Sequence, residues 1–266
     1  MSLTKIDIDR KINSLRNTSK QFSTIQNSEL VSMFEECIQN IKSIAYYWAT
    51  VGADNKGVTG TTAEGEEWLG GPFASVFGLQ YYIETLSDLN KPLDESLLNK
   101  DLNTYKVFPN NILEKIFFPF ITAEVKFNNN LSFKDIQKYR GYAMRYSHEP
   151  NVTLVLGAGN VSCIPLLDVI YHMVTKRSVI YLKLNPVNEY LLPVYEKIFD
   201  NFISKGFMVI TKGSLDESQY MVQHKGIDHI HLTGSDQTYE LIVYGRKLND
   251  DEKKLKTLKK ENPISF

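Results

Sequence analysis

The sequence predicts an α/β protein with a parallel sheet, and three observations carry that prediction. Between Asn151 and Gly234, strand-like apolar runs alternate with helix-length amphipathic segments. The first run, Val152-Thr-Leu-Val-Leu156, is continuously apolar, as in strands covered on both faces. Glycines or a lysine stand at the strand ends, where open parallel sheets collect ligands. Together they describe a Rossmann-like parallel sheet with flanking helices, preceded by a mainly helical N-terminal region.

The first strand, Val152 to Leu156, runs into the turn Gly157-Ala-Gly-Asn160, and the helix after it is apolar along Ile164, Leu167, Ile170 and Tyr171. The second strand, Ser178 to Lys183, precedes Asn185-Pro186, an N-cap residue followed by the residue best tolerated at the first helical position. The pattern predicts one helix to about Lys205, stopped by Gly206 and open to a kink at Pro193. Phe207 to Thr211 is the third strand. Ser214 with Glu217 forms a capping box that opens the next helix, and Gly226 ends it. Ile227 to Leu232 is a fourth strand, leading into Thr233-Gly-Ser235. Right-handed crossovers then bring Gly157, Lys183 and Gly234 to the same edge of the sheet.

Residues 1–150 are expected to form a helical region on or beside the sheet, and residues 151–266 the βαβ core. Glu29 to Thr50 has helical periodicity, Gly52 to Gly65 has the composition of a loop, and Phe73 to Leu86 is helical again. Asn110 to Phe118 predicts a shorter helix, and Val125-Lys-Phe127 a strand that turns at Asn128-Asn-Asn130.

Composition bounds the function. The 266 residues carry a net charge of -1 and are 42% hydrophobic, so a sizeable core is available and no basic excess points to nucleic acid. Apolar runs are strand-sized and the N-terminus lacks a signal-peptide core, which implies a cytoplasmic protein without a membrane partner. Cys37 and Cys163 give neither a disulfide framework nor metal-ligand spacing.

A glycine-rich turn between a buried strand and a helix suits a pyrophosphate, because backbone N–H groups and the helix dipole converge there. The turn is an incomplete fingerprint, with Ser162 in place of the third glycine, and a tight structural corner is the competing reading. The second strand ends in Lys183 instead of the usual acid. A cation there is costly unless it serves a ligand or is well solvated.

The segments Leu156-Gly-Ala-Gly-Asn-Val-Ser-Cys-Ile-Pro, Leu182-Lys-Leu-Asn-Pro and His229-Ile-His-Leu-Thr-Gly-Ser together resemble the aldehyde dehydrogenase superfamily, nearest its acyl-thioester-reductase-like branch. Asn160 and Lys183 lie 23 residues apart, similar to the family's catalytic asparagine and cofactor lysine. The resemblance implies that Asn160 stabilises an oxyanion, against a turn residue bonded to its own backbone. It implies that Gly157, Gly159, Lys183, Asn185, Gly213, Thr233, Gly234 and Ser235 bind NAD or NADP, against a solvated lysine and simple helix capping. The implied substrate is an aldehyde or an acyl thioester.

Two departures qualify what the resemblance implies. Pro186 stands where many NAD-preferring members carry an acid, so Lys183 without a nearby carboxylate would accept a 2′-phosphate. The family's general-base glutamate and nucleophilic cysteine lie beyond T-G-S, and no cysteine follows Cys163. Cys163 itself reads as a small core residue before a nucleophile. His229 and His231 share a strand face without an apparent third metal ligand, and Glu66 and Glu67 read as a solvated helix start. The expectation is therefore a truncated cofactor-binding portion, inactive alone. A nucleotide-binding remnant or an interaction protein reusing the fold are the alternatives. An apolar surface near Thr233 and the strand expected at Pro263 to Phe266 would favour a homo-oligomer.

Overall fold

A computed structural model of the chain describes residues 3–127, 131–145, 148–249 and 264–265. Two compact units are formed, residues 1–87 with 146–266 and residues 88–145. Among the described residues no helix is long and apolar enough to cross a membrane.

The larger unit begins with α1 (Lys5–Ser23), a helix the sequence reading leaves unassigned. Thr4 and Asp7 cap it reciprocally, and Ile8, Ile12, Leu15 and Phe22 form a fully buried stripe at helical spacing. The long α2 (Asn27–Lys56) runs through the expected loop start at Gly52 and ends at Gly57, a left-handed C-cap with φ 68°. Gly52 belongs inside the helix for a packing reason: a Cβ there would lie 2.5 Å from Glu67 Oε2 of α3 (Glu64–Trp68). A π-helical turn, Leu69–Phe73, then leads into α4 (Ala74–Ser87).

In the smaller unit, β1 (Leu98–Asn99), β2 (Thr104–Phe108) and β3 (Ala123–Lys126) form an antiparallel sheet in that order. Its helices are α5 (Ile112–Phe117), capped by the Asn111 side chain, α6 (Phe133–Tyr139) and α7 (Tyr142–Arg145). The expected helix near 110–118 and the strand near 125 are present. The turn expected at Asn128 to Asn130 lies outside the described residues.

The larger unit resumes with β4 (Val152–Leu156), α8 (Ile164–Thr175) and β5 (Val179–Lys183), both strands buried at every residue. The helix expected from Asn185 to Lys205 is instead three pieces: a 3-10 segment Pro186–Leu191, α9 (Leu192–Ile198) and α10 (Asp200–Ser204). Pro193 lies in the first turn of the second piece instead of kinking one continuous helix, because it has no N–H to continue the preceding ladder. Then follow β6 (Met208–Thr211), α11 (Leu215–Val222), β7 (His229–Leu232), α12 (Asp236–Tyr244) and β8 (Ile264–Ser265). The expected core-facing stripe of α8 is shifted: Leu166, Val169, Ile170 and Met173 are fully buried, whereas Tyr171 is exposed.

All pairings in this five-stranded sheet are parallel, and the order is β6-β5-β4-β7-β8. The chain builds outward from β4 to β6, then returns to the other side of β4, opening a crevice at the carboxyl ends where the order reverses. The Phe22 ring of α1 sits 4.9 Å from Phe207 and 6.4 Å from Phe202 between centroids, locking α1 to the start of β6 and to α10. Phe22→Ala should destabilise the unit by about 3–5 kcal/mol through lost burial and an unfilled cavity. Denaturant unfolding of the two proteins measures it, and a loss under about 1 kcal/mol would show that α1 is not integral to the core.

Candidate functional site

A cleft of ≈ 470 Å³ opens at the carboxyl ends of β4, β5 and β7. Gly157, Gly159, Asn160, Lys183, Asn185, Thr233, Gly234 and Ser235 all line it. Gly213 is not in the lining and stands just behind, where a Cβ would meet Lys183 Cε at 3.4 Å and Glu217 Oε2 at 3.2 Å.

The turn after β4 is held from several parts of the chain. Gly157 N donates to Lys183 O at 3.0 Å, extending the β4–β5 ladder one residue into the turn. Asn188 Nδ2 donates to Ala158 O at 3.1 Å, and Lys56 Nζ to Asn160 O at 3.5 Å. Trp48 Nε1 donates to Ser162 Oγ at 3.1 Å, Tyr195 OH to Ser162 O at 2.5 Å, and Cys163 N to Gly70 O at 2.8 Å. Ser162 thus replaces a fingerprint glycine because its hydroxyl anchors the turn to α2. Gly159 is required by internal packing, since a Cβ would come within 2.9 Å of both Asn185 Nδ2 and Val187 Cγ2. These contacts leave Asn160 exposed on the cleft.

Lys183 is 5% exposed, and burial pulls its ammonium below the ordinary lysine range, opposed by the charges of Glu189 and Glu217. The expectation of a lysine without a nearby carboxylate is therefore corrected: two acids reach it from outside the strand. Glu217 is itself buried and held below the usual carboxylate range, first by its hydrogen bonds with Ser214 and then by the Leu3 N–H and Lys183. Glu189 Oε1 accepts from Gly213 N at 3.3 Å. Asn185 caps the 3-10 segment through Val187 N.

On the third strand, Ser235 Oγ accepts from Thr238 N at 3.2 Å and caps α12. Thr233 Oγ1 donates to Asp168 Oδ2 at 2.9 Å and faces His231 Nε2 at 3.2 Å. Among the described residues no three His, Cys, Asp or Glu side chains are grouped to hold a metal. Cys163 is buried and its thiol is pushed up by burial, the state of a packing residue.

Sequence reasoning misses the Lys56–Glu67 ion pair beside the turn. Glu67, read as solvated, is 5% exposed and accepts from Lys56 Nζ at 2.6 Å. Its signal is spacing of a kind no linear pattern shows: Gly52 in α2 makes room for its carboxylate.

No protein-family model matches the sequence, and no curated protein sequence matches it significantly. Solved structures do. The NADP-dependent glyceraldehyde-3-phosphate dehydrogenase of Bacillus halodurans, complexed with NADP, aligns over 99% of this chain and 44% of its own, at 13% identity and a TM-score of 0.61. The glyceraldehyde-3-phosphate dehydrogenase of Methanocaldococcus jannaschii, also complexed with NADP, covers 100% and 47%, at 10% identity and 0.62. An aldehyde dehydrogenase from Bartonella henselae covers 99% and 44%, at 11% identity and 0.62. What is shared is the fold. The chain spans less than half the length of each of these three dehydrogenases.

Two measurements probe this architecture. Lys56→Met leaves the buried Glu67 carboxylate unpaired, and should cost about 2–3 kcal/mol, less than a fully buried pair because Lys56 is part-exposed; chemical unfolding reads the loss. Glu217, with a depressed carboxyl pKa, stabilises the fold at neutral pH and loses that contribution as pH falls from about 5 toward 3. Glu217→Gln should be less stable than the parent near neutrality and converge with it in acid, as followed by thermal melts across pH.

Proposed function

We propose that the chain is the NAD(P)-binding portion of a cytoplasmic aldehyde dehydrogenase-like oxidoreductase, of the acyl-thioester-reductase-like kind. The observation that carries this reading is the meeting of three sequence-distant segments, at Gly157, Lys183 and Thr233, on one cleft at the ends of adjacent parallel strands. The residues fit a dinucleotide. The cleft offers a buried lysine for the ribose end and a glycine-bearing turn and helix start at Gly234 and Ser235 for a diphosphate. NAD or NADP bound there would supply hydride transfer. Lys183 would fix the adenosine ribose, with Glu189 and Glu217 limiting the gain from an added 2′-phosphate.

Asn160, exposed on the cleft by its clamped turn, would donate its side-chain N–H to an oxyanion formed on an aldehyde or acyl-thioester carbonyl. Such an oxyanion forms only after a nucleophile has attacked, and Cys163 is too buried to serve. The activity therefore belongs to a longer protein in which a further segment supplies nucleophile and base, acting as a homo-oligomer.

Calorimetric titration tests the reading. The chain should bind both NAD and NADP weakly, differing by less than about tenfold, and Lys183→Ala should weaken each by about tenfold. Asn160→Ala should leave nucleotide affinity unchanged. Absence of binding of either nucleotide at millimolar concentration would overturn the proposal. The chain alone should show no aldehyde oxidation or acyl reduction by absorbance of the reduced nicotinamide, and turnover abolished by Cys163→Ser would reassign that cysteine as nucleophile.

A further inference from the structure

The sheet of the smaller unit ends in an open edge. Among the described residues β3 pairs with β2 alone, and all four of its residues, Ala123 to Lys126, are exposed. An edge of this kind presents unpaired N–H and C=O groups to any strand that fits it. The connection that leads into β3 is apolar where it meets solvent: Ile112, Leu113, Ile116 and Phe117 of α5 are between 65% and 74% exposed, Ile121 is 55% exposed and Phe120 97%. Glu114 of the same helix is turned inward at 4% exposure, where its Oε1 accepts from Asn111 Nδ2 at 2.8 Å. A helix with an acid inside and four apolar side chains outside presents a surface that calls for cover.

Backbone and charge together select what fits this edge. Phe127 N donates to Asn103 O at 3.0 Å, so by the alternation of an antiparallel ladder Phe127 and Val125 turn their backbone groups toward β2, and Glu124 and Lys126 turn theirs outward. A strand added antiparallel must bond through those two residues. If that strand is β3 of a second copy, the pairing centred on Val125 sets Glu124 opposite the partner's Lys126 and Lys126 opposite the partner's Glu124. Slipping the register by two residues sets glutamate against glutamate or lysine against lysine, which is unfavourable. The centred register also faces Val125, 45% exposed, with the partner's Val125 in a non-hydrogen-bonded pair, where side chains approach closely. A lone edge lysine would repel its copy, and the glutamate two residues earlier turns that repulsion into attraction.

We propose that β3 pairs antiparallel with β3 of a second copy about a two-fold axis at Val125, joining the two three-stranded sheets into one and covering the apolar β2–β3 connections in the same isologous interface. The inference rests on the homo-oligomer of the proposed function, to which it gives a surface, and it is independent of the nucleotide site.

Sedimentation equilibrium over a concentration series tests the pairing, and the parent should be a dimer at tens of micromolar. Glu124→Lys sets lysine against lysine twice across the two-fold and should weaken dimerisation roughly tenfold or more, while the swap of Glu124→Lys with Lys126→Glu should restore it. Lys126→Pro removes an outward N–H that β2 does not use and should abolish the dimer. Should the proline variant not fold, Val125→Cys decides: paired residues of this kind lie within disulfide reach, and Cys37 and Cys163 are buried, so mild oxidation should link two copies through position 125. A dimer of equal strength in Glu124→Lys and Lys126→Pro, a charge swap that fails to restore association, or a Val125→Cys protein that does not cross-link overturns the inference and leaves the homo-oligomer to another face. A parent that stays monomeric overturns both.

Discussion

The turn between β4 and α8 must leave a fully buried strand, expose one side chain on the cleft and enter a helix within seven residues, and the arrangement of the larger unit follows from how that is done. A short turn of this kind has too few bonds of its own to fix its backbone. The chain supplies them from elsewhere: Lys56 and Trp48 on α2, Gly70 in the π-helical turn, Asn188 and Tyr195 after β5. The Trp48, Asn188 and Tyr195 contacts are buried, and each satisfies a polar group that burial would otherwise leave costly. The N-terminal helices are thereby part of the site's framework, which explains why residues 1–87 fold with the sheet.

Electrostatics at the second strand end follow the same logic. A lysine buried to 5% exposure is tolerable because Glu189 and Glu217 compensate it through space, and those acids are in turn held by backbone N–H groups of Gly213, Ser214 and Leu3. The ammonium is compensated through space, yet not bound into a direct ion pair among the described residues. A ligand hydroxyl can therefore approach it without first breaking a salt bridge.

The sheet was legible because buried parallel strands are written as contiguous apolar runs. Val152–Leu156 matches residue for residue, and the next three expected strands differ from the observed ones by one or two residues at their N-terminal ends. Eight of the nine expected site residues line one cleft because each was placed by a strand end, which local pattern locates well. Gly52 reads as a helix breaker until Glu67 occupies the space its Cβ would fill, Glu67 reads as solvated until Lys56 is seen against it, and Pro193 reads as a kink until the 3-10 segment before it is known. In the first two the deciding partner is remote in sequence, so tertiary packing overrides local preference. α1 was readable in principle, since Thr4 with Asp7 and the stripe Ile8, Ile12, Leu15 are local signals.

The glycine fingerprint also changes meaning once the contacts are known. Gly159 is demanded by Asn185 and Val187, Gly157 by the approach of Pro165 at 3.3 Å, and the third fingerprint position is a serine because Trp48 needs a hydrogen-bond acceptor there. None of these requirements involves a ligand. The glycines set how closely the turn approaches the segment after β5, and that approach in turn brings Asn160, Asn185 and Lys183 to one wall of the cleft. The groups that the packing leaves available on the cleft are the Asn160 amide, the Lys183 ammonium and the Gly234 backbone, while Gly157 and Gly159 act by geometry. A sequence that kept those three groups but relaxed the packing would keep the motif and lose the cleft.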